Sequence, residues 1–169
     1  CYTRGELAFL MLAPHCTRKC GFCRISTLNS PAAVDHYEPE KIAAMANELM
    51  LDYVVLTSTT RDDLPLAGAE FFSRTISLLK VHGIQSEVLI PDFSGQRKSF
   101  ELVAAAEPAV VAHNLETVSG RYEQYRQGGD WRRSWALLRW FRNHRPRLII
   151  KTSIMVGTGE TIAELYRLF

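Results

Sequence analysis

Cys16-Thr17-Arg18-Lys19-Cys20-Gly21-Phe22-Cys23 sets three cysteines at C-x3-C-x2-C spacing within one short loop. Thiolates this close in sequence can be aimed at one inorganic centre, and cysteine thiolates are the usual protein ligands of iron–sulfur clusters. Three ligands rather than four would leave one iron open to a substrate or cofactor, whereas a cluster used only to carry electrons normally has four cysteines. A second chemistry fits the same residues, because His15 could complete a tetrahedral zinc site with Cys16, Cys20 and Cys23. A pair of structural disulfides is the third and weakest reading.

These cysteines must be positioned by the elements around them. Residues 6–13 (ELAFLMLA) form a nearly continuous apolar run, the pattern of a strand buried on both faces. Glu38-Pro39 opens a helix in which Ile42, Met45, Ala46, Leu49 and Met50 recur at helical spacing to about Leu51. Tyr53–Thr57 reads as the second strand, Ala67–His82 as a helix ended by Gly83, and Ile84–Ile90 as the third strand. Gln96–Ala106 reads as helix and Ala109–Ala112 as the fourth strand. Helical pieces follow over Ser119–Tyr125 and Trp131–His144, then a fifth strand over Leu148–Ile154 and a last helix from about Glu160.

Strands alternating with amphipathic helices indicate parallel β/α units. Two architectures fit that order: an open doubly wound sheet, or part of a β/α barrel. Both bind ligands beyond the carboxyl ends of the strands. The polar clusters fall at those ends: the cysteine loop, Thr57-Ser58, His113-Asn114-Leu115-Glu116, and Gly157-Thr158-Gly159-Glu160.

Bulk properties exclude several classes. The chain has 169 residues and suits one domain, enough to bury roughly 68–70% of the surface its unfolded form exposes. A net charge of +2 argues for neither nucleic acid nor membrane, and no apolar run reaches the ~20 residues of a membrane span. Four cysteines, three within eight residues, point to metal binding in a reducing compartment, hence a cytoplasmic or organelle-matrix enzyme.

Other features carry two readings each. Ser153-Ile154-Met155-Val156-Gly157-Thr158-Gly159-Glu160 is either a Gly-rich turn with a helix-starting Glu or a segment whose glycine lets backbone approach a flat base. Asn114 either caps the turn after the fourth strand or, with Glu116, hydrogen-bonds a ligand. Lys151 lies in an apolar strand, where a bare ammonium is costly, so it should face the cavity against a carboxylate or sit at the rim. Arg61-Asp62-Asp63 reads as a solvated turn with a local ion pair worth under about 1 kcal/mol. Eight arginines between Arg121 and Arg147 read as a solvated helix face, or as a surface for an acidic protein or anion.

Taken together, these segments resemble the lipoyl synthase family of radical S-adenosylmethionine (SAM) enzymes over nearly the whole chain. The resemblance rests on Cys1-Tyr2-Thr3-Arg4-Gly5, the cysteine loop, Tyr53–Ser58 with Arg61-Asp62-Asp63-Leu64, Val88–Phe93, His113–Thr117, and Met155–Thr161. It implies a partial (β/α)6 radical SAM barrel, of which about five β/α units are present. Its implied cofactors are a [4Fe-4S] cluster on Cys16, Cys20 and Cys23, and SAM positioned by Phe22, Thr57, Ser58, Asn114, Glu116, Arg126, Lys151, Met155 and Gly157. The implied reaction inserts sulfur at C6 and C8 of a protein-bound octanoyl chain through a 5′-deoxyadenosyl radical; the alternatives are a radical SAM enzyme with a different substrate and a non-catalytic zinc-binding module. Its implied partners are an octanoylated lipoyl-carrier domain and an electron donor such as ferredoxin or flavodoxin. An auxiliary [4Fe-4S] cluster would supply the sulfur, and of its C-x4-C-x5-C motif only the last cysteine is present, as Cys1. His15 and Arg24 stand where that family has acidic residues, Gly21 where it has proline, and Thr60 where it has Asp. The chain thus reads as one radical SAM core domain over 1–169, either a central fragment truncated at both ends or a divergent paralogue, and the raw sheet ends favour the fragment.

Overall fold

The computed structural model describes residues 5–27 and 33–168, so Cys1 lies outside the described residues. The chain runs β1 (Glu6–Met11), the two-residue strands β2 (His15–Cys16), β3 (Lys19–Cys20) and β4 (Ser26–Thr27), α1 (Glu38–Glu48), β5 (Tyr53–Ser58), α2 (Ala69–Val81) and β6 (Gln85–Leu89). It continues through α3 (Arg97–Ala105), β7 (Val110–Ala112), α4 (Tyr122–Tyr125), β8 (Arg126–Gln127), α5 (Trp131–His144), β9 (Ile149–Lys151) and α6 (Ile162–Leu168).

Strands β1, β5, β6, β7 and β9 form one five-stranded sheet in that order, every pair parallel. Order in space follows order in the chain. A doubly wound sheet needs a reversal of strand order, so the architecture is the partial β/α barrel. Crossovers of one hand then lay the connecting helices on one face, where α1 packs on α2, α2 on α3, and α3 on α5. Successive strand residues point to opposite faces. Phe9, Leu56, Val88, Val111 and Ile150 stand in register and belong to the core under the helices. One residue on, Leu10, Thr57, Leu89, Ala112 and Lys151 form the matching layer on the open face.

The first strand stops at Met11, short of the expected Ala13, because Leu12 turns to φ +60°. The Leu12 N–H donates to the Glu38 carboxylate at 3.0 and 3.1 Å, and its carbonyl accepts from Thr59 Oγ1 at 2.8 Å. Helix α2 likewise starts at Ala69 rather than Ala67, since Leu66 and Ala67 are left-handed. The last helix starts at Ile162, not Glu160.

One charge group, buried at Arg18 and Asp92, fixes the strand ends to each other. Arg18 Nε and Nη2 each donate at 2.9 Å to the two oxygens of Asp62, and Nη2 also reaches Asp92 Oδ1. Arg133 Nε lies 3.4 Å from Asp92 Oδ2. The charges alternate Asp62, Arg18, Asp92, Arg133. Arg18 is 5% exposed and Asp92 is 0% exposed. Burial opposes the Arg18 charge, but the hydrogen bonds to Asp62 and Asp92 outweigh it and hold the guanidinium more firmly protonated. Burial also resists ionisation of Asp62, and Arg18 and Ser94 outweigh it, so that carboxyl stays below its usual range. The turn Arg61-Asp62-Asp63 keeps both carboxylates exposed and forms its local ion pair, but its cation is drawn out of solvent. Arg61 is 2% exposed and donates twice to Asp63 at 2.8 Å.

His113, just after β7, is 0% exposed. Burial, with the nearby Arg126 cation adding to it, pushes its pKa down to about 4. The unfolded ring protonates near pH 6.5, so between those values the unfolded state binds more protons and stability must fall with falling pH.

Two outcomes are expected. Asp92→Asn should lower unfolding free energy by about 3–5 kcal/mol, the cost of leaving a buried ion without its partner, measurable by urea titration; a loss below about 1 kcal/mol would contradict the clamp. The stability difference between wild type and His113→Gln should shrink by about 3 kcal/mol on going from pH 7 to pH 4, and a pH-independent difference would contradict the buried neutral imidazole.

Candidate cofactor-binding site

The cysteine loop is tied down on two sides. β3 pairs antiparallel with β8, setting Cys20 opposite Arg126 and Lys19 opposite Gln127. The Gly21 N–H donates to the Tyr125 carbonyl at 2.9 Å, a bond that a proline at this position could not make. On the other side, Thr17 N–H and Oγ1 both donate to the Thr60 carbonyl, at 2.8 and 3.1 Å. That contact uses backbone at residue 60. Within the loop, Arg18 N–H points at Cys16 Sγ (3.4 Å) and Cys23 N–H at the Cys20 carbonyl (3.0 Å).

The result is a cavity of about 260 Å³ at the carboxyl ends of the strands. Cys16, Cys20, Cys23 and Phe22 wall it on the loop side, and Thr57 and Ser58 at the end of β5. Asn114, Glu116 and Arg126 complete the wall, Arg126 beside Cys20. Nine of the residues singled out from sequence thus share one cavity. Sequence reasoning missed Leu10, Arg18, Leu89 and Ile90 in the same wall. Leu10 and Leu89 were legible as strand residues, but which face they take follows only from the register.

Lys151, Met155 and Gly157 stand outside that wall, each for a physical reason. Lys151 shares the layer of Leu10, Thr57 and Leu89, but its Nζ pairs with Glu87 Oε1 at 2.5 Å. Tyr53 Oη donates to the other Glu87 oxygen at 3.2 Å. Met155 N–H donates to the Glu116 carbonyl at 2.7 Å, which lays this segment beside the rim residue Glu116. The Gly157 N–H is taken by Glu160 Oε1 at 2.5 Å, and Thr158 N–H and Oγ1 donate to Oε2 at 2.7 and 2.8 Å. Those backbone bonds, Gly157 first, pull the Glu160 carboxyl down to about 2. Glu160 closes its own loop.

The electrostatics of the wall centre on Arg126. Burial pushes the Cys20 thiol up, and Arg126 opposes that. Burial likewise raises Glu116, again against Arg126. The three described cysteines are free thiols. Among the described residues, no three His, Cys, Asp or Glu side chains converge on a point suited to one ion. His15 instead lies in β2, paired with Ser26. The thiols are arranged around a cavity rather than around a point. Among the described residues no helix is long and apolar enough to cross a membrane.

Known proteins match this arrangement. The profile of the radical SAM superfamily matches residues 10–169. The chain is 43% identical to a lipoyl synthase of Roseiflexus sp. (strain RS-1) over 169 residues, covering 99% of this chain and 56% of that protein. A lipoyl synthase of Geotalea daltonii is 41% identical, with 99% of this chain and 57% of that protein covered. The chain therefore spans little more than half the length of these curated relatives. Among solved structures, methylornithine synthase (PylB) superposes with a TM-score of 0.69 at 14% identity, covering 95% of this chain and 47% of that one. Streptococcus suis SuiB superposes with a TM-score of 0.67, also at 14% identity, over 96% of this chain and 35% of that one. These two share the fold. With a matching profile over almost its whole length and a parallel sheet of the same architecture, the chain belongs to the radical SAM superfamily.

Proposed function

We propose that this chain is the cofactor-binding core of a lipoyl synthase-type radical SAM sulfurtransferase. The observation that carries the reading is the single cavity shared by Cys16, Cys20, Cys23, Asn114, Glu116 and Arg126. The donor set fits a cluster better than one ion. Thiolates on separate irons need not meet at a point, whereas zinc needs every ligand within about 2.3 Å of one centre. When bound, a [4Fe-4S] cluster on Cys16, Cys20 and Cys23 would leave one iron open to the amino and carboxylate groups of SAM and supply the electron that cleaves its sulfonium bond.

The chain's own residues orient and enclose. Arg126 offers a fixed cation to a carboxylate. Asn114 and Glu116 supply polar atoms to the amino group or the ribose hydroxyls, and Thr57 and Ser58 supply hydroxyls from the end of β5. Phe22, Leu10 and Leu89 present apolar surface that excludes water from the reacting atoms. The segment through Met155 and Gly157 would border the adenine at the rim, a role supported by the Met155 bond to Glu116. Lys151, paired with Glu87, holds a charged layer beneath.

Identity of 41–43% to lipoyl synthases over 99% of the chain supports the finer reading. Under it, sulfur enters C6 and C8 of an octanoyl chain on a lipoyl-carrier domain. A ferredoxin or flavodoxin reduces the protein, which resides in the cytoplasm or an organelle matrix. Cys1 would then be one ligand of an auxiliary cluster, whose part would be to supply the sulfur.

Anaerobic reconstitution of the full-length protein with iron and sulfide, followed by reduction with SAM present, should release 5′-deoxyadenosine. Cys20→Ala should reduce that release to background, and an octanoylated lipoyl-domain peptide should gain two sulfurs with the wild type only. Intact SAM after reduction would overturn the radical SAM reading. SAM cleavage without sulfur in the peptide would overturn the substrate alone.

A further inference from the structure

Behind the cavity wall runs a chain of hydrogen bonds whose direction is fixed at every link. His113 Nδ1 lies 2.8 Å from the Ile90 carbonyl. A carbonyl only accepts, so Nδ1 carries the hydrogen and Nε2 of the neutral ring bears a lone pair. Ser134 Oγ, at 2.9 Å, must then donate to Nε2. With its one hydrogen spent, Ser134 accepts from Tyr122 Oη at 3.1 Å. Tyr122 has in turn spent its hydrogen, and its oxygen accepts from Arg126 Nη1 at 2.9 Å. Both hydrogens of Nη1 are engaged, because it also donates to the Asn114 carbonyl.

The two ends of this chain, Ile90 and Arg126, line the cavity. The three middle members are buried and lie outside its wall: His113 and Ser134 are 0% exposed and Tyr122 is 5% exposed. They come from three separate places, the end of β7, α5 and α4. The Tyr122 ring also lies under the guanidinium, 5.6 Å from ring centroid to Cζ. With Nη1 held by two protein acceptors, the Nε–Nη2 edge of Arg126 has no partner among the described residues. That edge carries two parallel N–H groups, the geometry that grips a carboxylate with two bonds.

We propose that His113, Ser134 and Tyr122 are positioning residues that pre-orient Arg126, so that its Nε–Nη2 edge faces the cavity as a carboxylate fork beside Cys20. This rests on the SAM reading above, in which the ligand is an amino acid whose carboxylate lies next to the cysteine loop. The cost of aligning a long side chain is met on folding rather than on binding. Loss of a link loosens the guanidinium on that side, leaving the Asn114 carbonyl to hold it alone when Tyr122 Oη is removed, and so weakens binding.

The test uses full-length, anaerobically reconstituted protein and measures equilibrium binding of SAM, with thermal unfolding of each ligand-free variant alongside. Tyr122→Phe keeps the ring beneath Arg126, and Ser134→Ala breaks the chain at a residue that touches neither cavity nor ligand. Tyr122→Phe should weaken SAM binding about tenfold, the value of one hydrogen bond to a charged group, and Ser134→Ala about fivefold, the value of a neutral one. The double variant should bind no worse than Tyr122→Phe. Imidazole nitrogen NMR of ligand-free wild type should show His113 neutral and protonated on Nδ1. Wild-type affinity retained within twofold in both variants, additive losses in the double variant, or an Nε2-protonated ring would each overturn the proposal while leaving the SAM reading intact. A wild type that fails to bind SAM would overturn both.

Discussion

The cavity depends on one arrangement of charge with a buried centre, Arg18 and Asp92. Arg18 belongs to the cysteine loop, Asp62 to the turn after β5, Asp92 to the turn after β6, and Arg133 to α5. A guanidinium 5% exposed cannot stand without compensation, because desolvating a charge costs several kcal/mol even after relaxation. Its two carboxylates are therefore obligatory, and satisfying them brings three strand ends and a helix to a common point. The cysteines inherit their positions from that requirement. Cys16 lies two residues before Arg18 and Cys20 two residues after it.

The other anchors act on the same loop from the opposite side. The β3–β8 ladder and the Gly21–Tyr125 bond fasten the loop to the segment that carries Arg126. Arg126 is in turn held from behind by Tyr122, Ser134 and His113. The cavity is thus enclosed by two arginines of different character. Arg18 is neutralised by aspartates and is structural, whereas the hydrogen-bond acceptors of Arg126 among the described residues are neutral, which leaves its charge to the cavity. This division follows from partner chemistry: carboxylates cancel the charge, while hydroxyl and carbonyl oxygens merely orient it.

Much of this was legible in the sequence, and the limits are physical. Alternating apolar periodicities gave the strands and helices, and strand ends rich in polar residues marked the face that holds the cavity. Periodicity is blind to strand order, so the choice between doubly wound sheet and barrel needed the sheet itself. Charged residues were read by local composition, which suggests solvent. Asp92 is buried instead because Arg18, 74 residues away, needs its carboxylate. Arg133 was hidden in the same way among exposed arginines of α5. For Gly157 the sequence reading overlooked that Glu160 would take its N–H. For Lys151 it foresaw a carboxylate partner but could not name Glu87, which register alone brings near.

The central claim is that the cysteine-lined cavity binds a cluster with one iron open to SAM. It is tested most directly by electron paramagnetic resonance of the reduced, reconstituted full-length protein, recorded with and without SAM. The account predicts a four-iron signal whose g values move when SAM is added, since the ligand binds an iron of the cluster itself. A signal that SAM leaves unmoved, or a colourless protein holding a single zinc, would contradict it.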